Sequence, residues 1–186
     1  STPIKSSAAS DVYKRQVMYT AAALAMRYGE DINKAMLAGL LHDCAKCIPA
    51  EEKLRMCEEN HLQISDVERA NPSLLHAKLG AFLAKTKYKI EDYDILKAIE
   101  SHTTGRPDMS LLEKIIYIAD YLEPGRTELP NMADVRSLVF RDIDECLYRI
   151  LKDSLVYLET KHLPIDIMTE KTYLYYKETL KKQEEN

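Results

Sequence analysis

Little in this sequence points to a membrane, a nucleic acid or an oxidising compartment. No apolar run approaches the roughly 18 residues of a membrane-spanning helix. No basic start followed by an apolar run and a small-residue cleavage site marks a secretory signal. Lys and Arg total 26 against 30 Asp and Glu, a net charge of -4, so no basic field favours nucleic acid or an anionic bilayer. The four cysteines (Cys44, Cys47, Cys57, Cys146) lack the density of a disulfide scaffold and fit a reducing cytoplasm. Cys44 and Cys47 form a C-x-x-C, but no second pair completes a zinc ribbon. The preferred reading is small, half-buried thiols beside a site.

Glycine is also scarce, with five residues, and no strand-like alternation, repeat or internal linker is long enough to count. What is present is apolar spacing at three and four residues, the period of amphipathic helices. Helices are predicted over Val17 to Tyr28, from an Asp31 cap up to the His42-Asp43 pair, and from Pro49, with Glu51 and Glu52 in its first turn. Others are predicted over Pro72 to Thr86, Glu91 to His102, Ser110 to Leu122, Met132 to Phe140, Ile143 to His162, and from Thr169 onward. The class is all-α, with 46% hydrophobic residues in 186, enough for one domain.

Polar residues interrupt the apolar faces. In "GLLHDCAKCIP", from Gly39 to Pro49, a His and an Asp end a hydrophobic run. His76 sits in "SLLHAKLGAFLA", His102 closes "YDILKAIESHTTG", and Asp120 lies in "LLEKIIYIADYLEP". Burying such groups costs free energy unless something satisfies them. Imidazoles and carboxylates together suit iron, manganese, zinc and related ions, and a carboxylate can bridge two of them. No Ser or Cys nucleophile motif accompanies the pattern. His61 and His162 sit in polar surroundings and are left out, and Tyr173, Tyr175 and Tyr176 are read as helix packing.

"LLHDCAK", "LLHAKLGA", "ESHTTGRPDMS" and "IIYIADYLEPGR", in this order, resemble the HD-domain metal-dependent phosphohydrolases. More closely, they resemble the HD-type symmetrical bis(5'-nucleosyl)-tetraphosphatases. The resemblance implies a helical bundle and hydrolysis of diadenosine tetraphosphate to two ADP by a metal-activated water. It implies a dinuclear metal centre, iron first, with manganese, magnesium, cobalt or zinc as alternatives. A dinucleoside polyphosphate is then the partner, with a homodimer expected by the same resemblance. Carried over by position, His42, Asp43, His76, His102 and Asp120 are the ligands, with Asp43 the bridge and a catalytic residue. His76 and His102 would hold one metal, His42 and Asp120 the other. Lys46, four residues after His42 and so on the same helix face, is read as charge stabiliser or proton donor at the leaving phosphate. Thr103, Thr104, Gly105, Arg106 and Arg126 offer hydroxyls, N–H groups and guanidinium to polyphosphate oxygens. For both arginines, surface ion pairing stands beside that reading. Glu123 could orient a ligand or water. Another HD nucleotide phosphohydrolase, or an inactive nucleotide-binding module, is the alternative function.

The family pattern begins with one further histidine, at the position of Tyr13, and this chain has no histidine before His42. "STPIKSSAASDVYKRQ" shows little periodicity, and the family match starts abruptly at Val17. Its "DVYKRQ" is the translation of the sequencing-library transposon end GATGTGTATAAGAGACAG. Residues 1–16 are therefore read as a non-native or disordered leader before an N-terminally truncated HD domain over 17–186, with activity impaired by the missing ligand.

Overall fold

A computed structural model describes residues 3–123 and 131–185. Its helices are α1 (Pro3–Tyr28), α2 (Ile32–Leu41), α3 (Ala50–Glu59), α4 (Asp66–Ala70), α5 (His76–Thr86), α6 (Tyr93–Ser101), α7 (Leu111–Tyr121), α8 (Met132–Leu138), α9 (Ile143–Thr160) and α10 (Ile167–Glu184). A 3-10 turn, Pro72–Leu75, leads into α5. Among the described residues there is no strand, and no helix is long and apolar enough to cross a membrane.

Local chemistry sets most boundaries. Asp31 caps α2, its Oδ1 accepting from the backbone N–H groups of Asn33 and Lys34, an arrangement worth about 1 kcal/mol. Ser110 and Glu113 form a reciprocal capping box at the start of α7. The same device, Ser65 with Glu68, starts α4, a five-residue helix too short to show periodicity in the sequence. The helix expected from Val17 instead begins at Pro3, so the segment read as a leader is continuous with α1 in its backbone. Extending an existing helix is far easier than nucleating one. Burial among the described side chains of α1 nevertheless begins at Val17.

The core forms where α1, α2, α6, α7 and α9 meet. Leu24, Ile99, Ile115, Ile116, Leu147 and Ile150 are fully buried there. Gly39 lets α1 and α2 touch, since a Cβ at this position would lie 3.0 Å from the Met18 Cα. A second, smaller cluster of Ala45, Cys57, Leu75 and Leu79 packs α3 and α5 under the turn after α2. Between the two clusters the ends of α2, α6 and α7 and the start of α5 carry the polar anomalies of the sequence.

Candidate metal centre

His42 and His102 stand at helix C-termini, where backbone carbonyls lack intrahelical donors, and His76 follows the 3-10 turn that leads into α5. His42 caps α2, His102 caps α6, and His76 opens α5. Each Nδ1 donates to the carbonyl three residues back: Gly39 at 2.7 Å, Ile99 at 2.7 Å and Ser73 at 2.6 Å. A carbonyl can only accept, so the proton sits on Nδ1 and Nε2 presents its lone pair.

The three Nε2 atoms converge on Asp43. His76 Nε2 lies 3.2 Å and His102 Nε2 3.6 Å from Asp43 Oδ1, while His42 Nε2 lies 3.3 Å from Oδ2. His76 and His102 bring their Nε2 atoms within 3.1 Å of each other. Asp120, from the last turn of α7, places Oδ1 3.4 Å from His42 Nε2. The five residues expected as ligands thus meet, with the two oxygens of Asp43 facing different histidines.

This arrangement puts lone pairs against lone pairs in a nearly dry site. His42 is 1% and His102 2% exposed. Buried His42 Nε2 and Asp43 Oδ1 have no hydrogen-bond partner, a situation that costs free energy unless positive charge enters. The donor set fits a divalent cation, with helix carbonyls orienting each imidazole as second-layer partners do in metal sites. A proton on His42 Nε2 is the alternative source of that charge. Burial pushes His42 down, but the Asp120 and Asp43 carboxylates beside it outweigh that and carry its pKa up to about 9. Asp43 is raised by burial, yet the His102, His42 and His76 imidazoles hold it far below the usual carboxylate range. His102 is pushed down, mainly by burial.

Lys46 reaches the centre by a different geometry from the one expected. Helix α2 stops at Leu41, and residues 42–48 continue as tight turns, with Cys44, Lys46 and Ile48 donating to carbonyls three residues back. Lys46 therefore pairs with Asp43 Oδ2 at 2.6 Å rather than sharing a helix face with His42, and its side chain is 56% exposed. Buried Lys53 donates to the Lys46 carbonyl at 3.0 Å and fixes this turn. All four cysteines are free, and neither Cys44 nor Cys47 belongs to the buried His/Asp cluster.

Residues 103–106 follow His102 closely, but their polar groups are partly spent. The Gly105 N–H donates to the Ser101 carbonyl at 2.8 Å, and Thr104 Oγ1 to the Gly105 carbonyl at 3.1 Å. Arg106 forks onto Glu113 at 2.7 and 2.6 Å and also donates to the Pro107 carbonyl. Thr103 is half-buried. Glu123 follows Leu122, the C-cap of α7, its N–H 3.4 Å from the Asp120 carbonyl. Arg126 lies outside the described residues, and Tyr13 falls in α1 with its side chain outside them. His61 and His162 are exposed residues in left-handed backbone just past α3 and α9, away from the cluster. Glu113, missed from the sequence, is 1% exposed and also accepts from Ser101 Oγ and the Ser110 N–H. Its readable signal was the S-x-x-E of a capping box.

The HD domain model matches residues 15–125. The chain is 41% identical over 157 residues to the symmetrical bis(5'-nucleosyl)-tetraphosphatase of Bacillus subtilis (strain 168), covering 84% of this chain and 83% of that protein. The Staphylococcus aureus (strain NCTC 8325 / PS 47) protein of the same name is 34% identical over 163 residues, 87% of this chain and 83% of its own. A crystal structure from Clostridium acetobutylicum, described as a predicted HD superfamily hydrolase involved in NAD metabolism, superposes with a TM-score of 0.87. It is 40% identical and covers 91% of this chain and 89% of that one.

Proposed function

We propose that this chain, which belongs to the HD-domain family and within it to the symmetrical bis(5'-nucleosyl)-tetraphosphatases, hydrolyses diadenosine tetraphosphate into two ADP. The observation that carries the reading is the convergence of three Nδ1-tethered histidines on buried Asp43, with His42 Nε2 and Asp43 Oδ1 unpartnered. That is a site built for positive charge.

His76 and His102 with Asp43 Oδ1 would hold one divalent ion, and His42 and Asp120 with Asp43 Oδ2 a second, iron before manganese, magnesium, cobalt or zinc. Such ions supply Lewis acidity to a phosphoryl oxygen and lower the pKa of a water. The chain's own groups do the rest. Asp43 ties both ligand sets together and anchors the Lys46 ammonium at 2.6 Å. The exposed half of Lys46 offers its charge, or a proton, to the leaving ADP, stabilising the developing negative charge. Thr103 and Thr104, directly after His102, offer hydroxyls to the polyphosphate. Arg106, pinned by Glu113, presents the remaining face of its guanidinium, and Arg126 supplies a second cation. Free thiols and the mildly acidic composition suit a cytoplasmic setting.

Chromatographic product analysis of diadenosine tetraphosphate, with Fe(II) or Mn(II) added, tests this reading. ADP as sole product supports it. AMP with ATP, or no turnover by metal-loaded protein, overturns it.

A further inference from the structure

The C-x-x-C of Cys44 and Cys47 plays no part in the hydrolytic reading, yet it sits against the metal centre. Cys44 follows Asp43 directly, and Lys46 lies between the two thiols. The chain here runs as turns closed three residues back, Cys44 to Leu41, Lys46 to Asp43 and Ile48 to Ala45. At such 3-10 spacing, side chains three residues apart eclipse, with a rise of about 6 Å between them. A disulfide joins Cα atoms about 4.4–6.8 Å apart. The backbone course therefore holds the two cysteines within bridging span.

The two thiols have different surroundings. Cys44 is half-buried, and its Sγ donates to the Gly80 carbonyl of α5 at 3.5 Å. A Cβ on Gly80 would lie 3.6 Å from that Sγ and 3.4 Å from the His42 carbonyl. The contact thus seats the Asp43 turn against the helix that opens with His76. Cys47, by contrast, is exposed. The segment between them is anchored: Ala45 is fully buried in the smaller core cluster, and the Lys46 carbonyl accepts from buried Lys53 at 3.0 Å. Cys57 and Cys146 are each 0% exposed, one in either core cluster. An oxidant arriving from solution meets Cys47 first, and Cys44 is the thiol close enough to answer it.

We propose that Cys44 and Cys47 are a modification site, closing a reversible disulfide that turns the metal centre off. The oxidant is hydrogen peroxide. The Cys47 sulfur takes one peroxide oxygen as a sulfenic acid and the first water leaves; the Cys44 sulfur then attacks it, the S–S bond forms and a second water leaves. Two thiols are oxidised by two electrons, and the O–O bond is reduced. Forming the bond turns Cys44 Sγ away from Gly80 and toward Cys47. The Asp43 turn loses that tie to α5, and Asp43 Oδ1 shifts from its place 3.2 Å from His76 Nε2. Lys46, inside the closed loop, gives up its 2.6 Å pairing with Asp43 Oδ2. A dithiol restores the open form by exchange, and an exposed disulfide is the readily reduced kind. As control of the site, the switch rests on the hydrolase reading above.

The test treats the full chain, loaded with Mn(II), with hydrogen peroxide and maps it by peptide mass spectrometry without reductant. Metal content and ADP formation from diadenosine tetraphosphate are measured on the same samples. A Cys44–Cys47 link lighter by two hydrogens is expected, with metal content and turnover down about tenfold or more and both restored by dithiothreitol and fresh Mn(II). Cys47→Ser, a change at an exposed position, should keep basal turnover within about twofold and lose the peroxide response. The proposal is overturned by three results: no Cys44–Cys47 link at any peroxide dose, a linked chain with metal content and turnover unchanged, or a Cys47→Ser chain inactivated as fast as wild type. If the link forms and metal leaves reversibly, but neither form cleaves diadenosine tetraphosphate, the switch stands and the proposed reaction falls.

Discussion

Replacing Glu113 by Ala should destabilise the protein by about 2–4 kcal/mol, and the structure shows where that comes from. The carboxylate is 1% exposed and accepts from Arg106 Nε and Nη2, Ser101 Oγ and the Ser110 N–H. Removing one partner of a fully buried ion pair costs about 3–5 kcal/mol. Arg106 is 40% exposed, so water recovers a large part of that and about 1–2 kcal/mol remains. Loss of the reciprocal capping contact adds about 0.5–1 kcal/mol, and the vacated volume about 1 kcal/mol more. Ser101 Oγ loses little, because it keeps the Lys97 carbonyl at 2.8 Å. In a chain of this size each kcal/mol moves the midpoint about 2–4 °C, so differential scanning calorimetry should show a drop of roughly 4–16 °C. Glu113→Gln, which keeps the shape, should show a smaller drop. The pH dependence has a definite sign. Although burial raises the Glu113 pKa, Arg106 outweighs burial and holds it below the ordinary 4.5. Its contribution is therefore complete above the ordinary value and is lost as pH falls through the lower folded value. The gap between wild type and Glu113→Gln should close in acid. A midpoint within about 1 °C of wild type for Glu113→Ala, or a gap that does not close, would refute the reasoning.

Gly105→Ala combines a φ of +64° with a Cβ 2.8 Å from Thr172 Cγ2. Chemical denaturation should show a loss of about 2–4 kcal/mol, part of which Thr172→Ser restores by removing that methyl while keeping the hydroxyl. Lys46→Ala removes a mostly exposed cation, so calorimetry should find less than about 1 kcal/mol, while steady-state kinetics show kcat/KM down about 10²-fold. Tyr13→His, at the position where the resemblance expects a further histidine, should raise metal content and turnover together by about tenfold or more; unchanged metal content by mass spectrometry would count against a ligand at that position.

The five residues that converge were legible as His and Asp residues on otherwise apolar helices, and the family resemblance, rather than spacing, grouped them as one expected ligand set. The helix starts at Asp31 and Ser110 were equally plain, since capping side chains act on backbone two or three residues away. What the sequence hid depends on where the chain turns. Lys46 was placed by α-helical spacing, but α2 ends at Leu41, and tight turns set its pairing with Asp43 instead. Arg106 read equally as a phosphate-binding or an ion-paired cation, and only the fold shows Glu113 of the next helix taking its fork. Helix α4 is too short for periodicity, although its Ser65–Glu68 box was written in the sequence. A cavity lined by Ser65, Lys78, Thr104 and Met168 could not be read at all, because its walls come from three stretches far apart in sequence.

The most direct test measures metal content and turnover on the same samples of wild type and Asp43→Ala, purified without oxygen and loaded with Fe(II) or Mn(II). Asp43 lies beside His42, His76 and His102, so its loss should strip bound metal and abolish ADP formation from diadenosine tetraphosphate together, while circular dichroism still reports a helical fold. ADP production by a folded, metal-free Asp43→Ala chain at the wild-type rate would contradict the account.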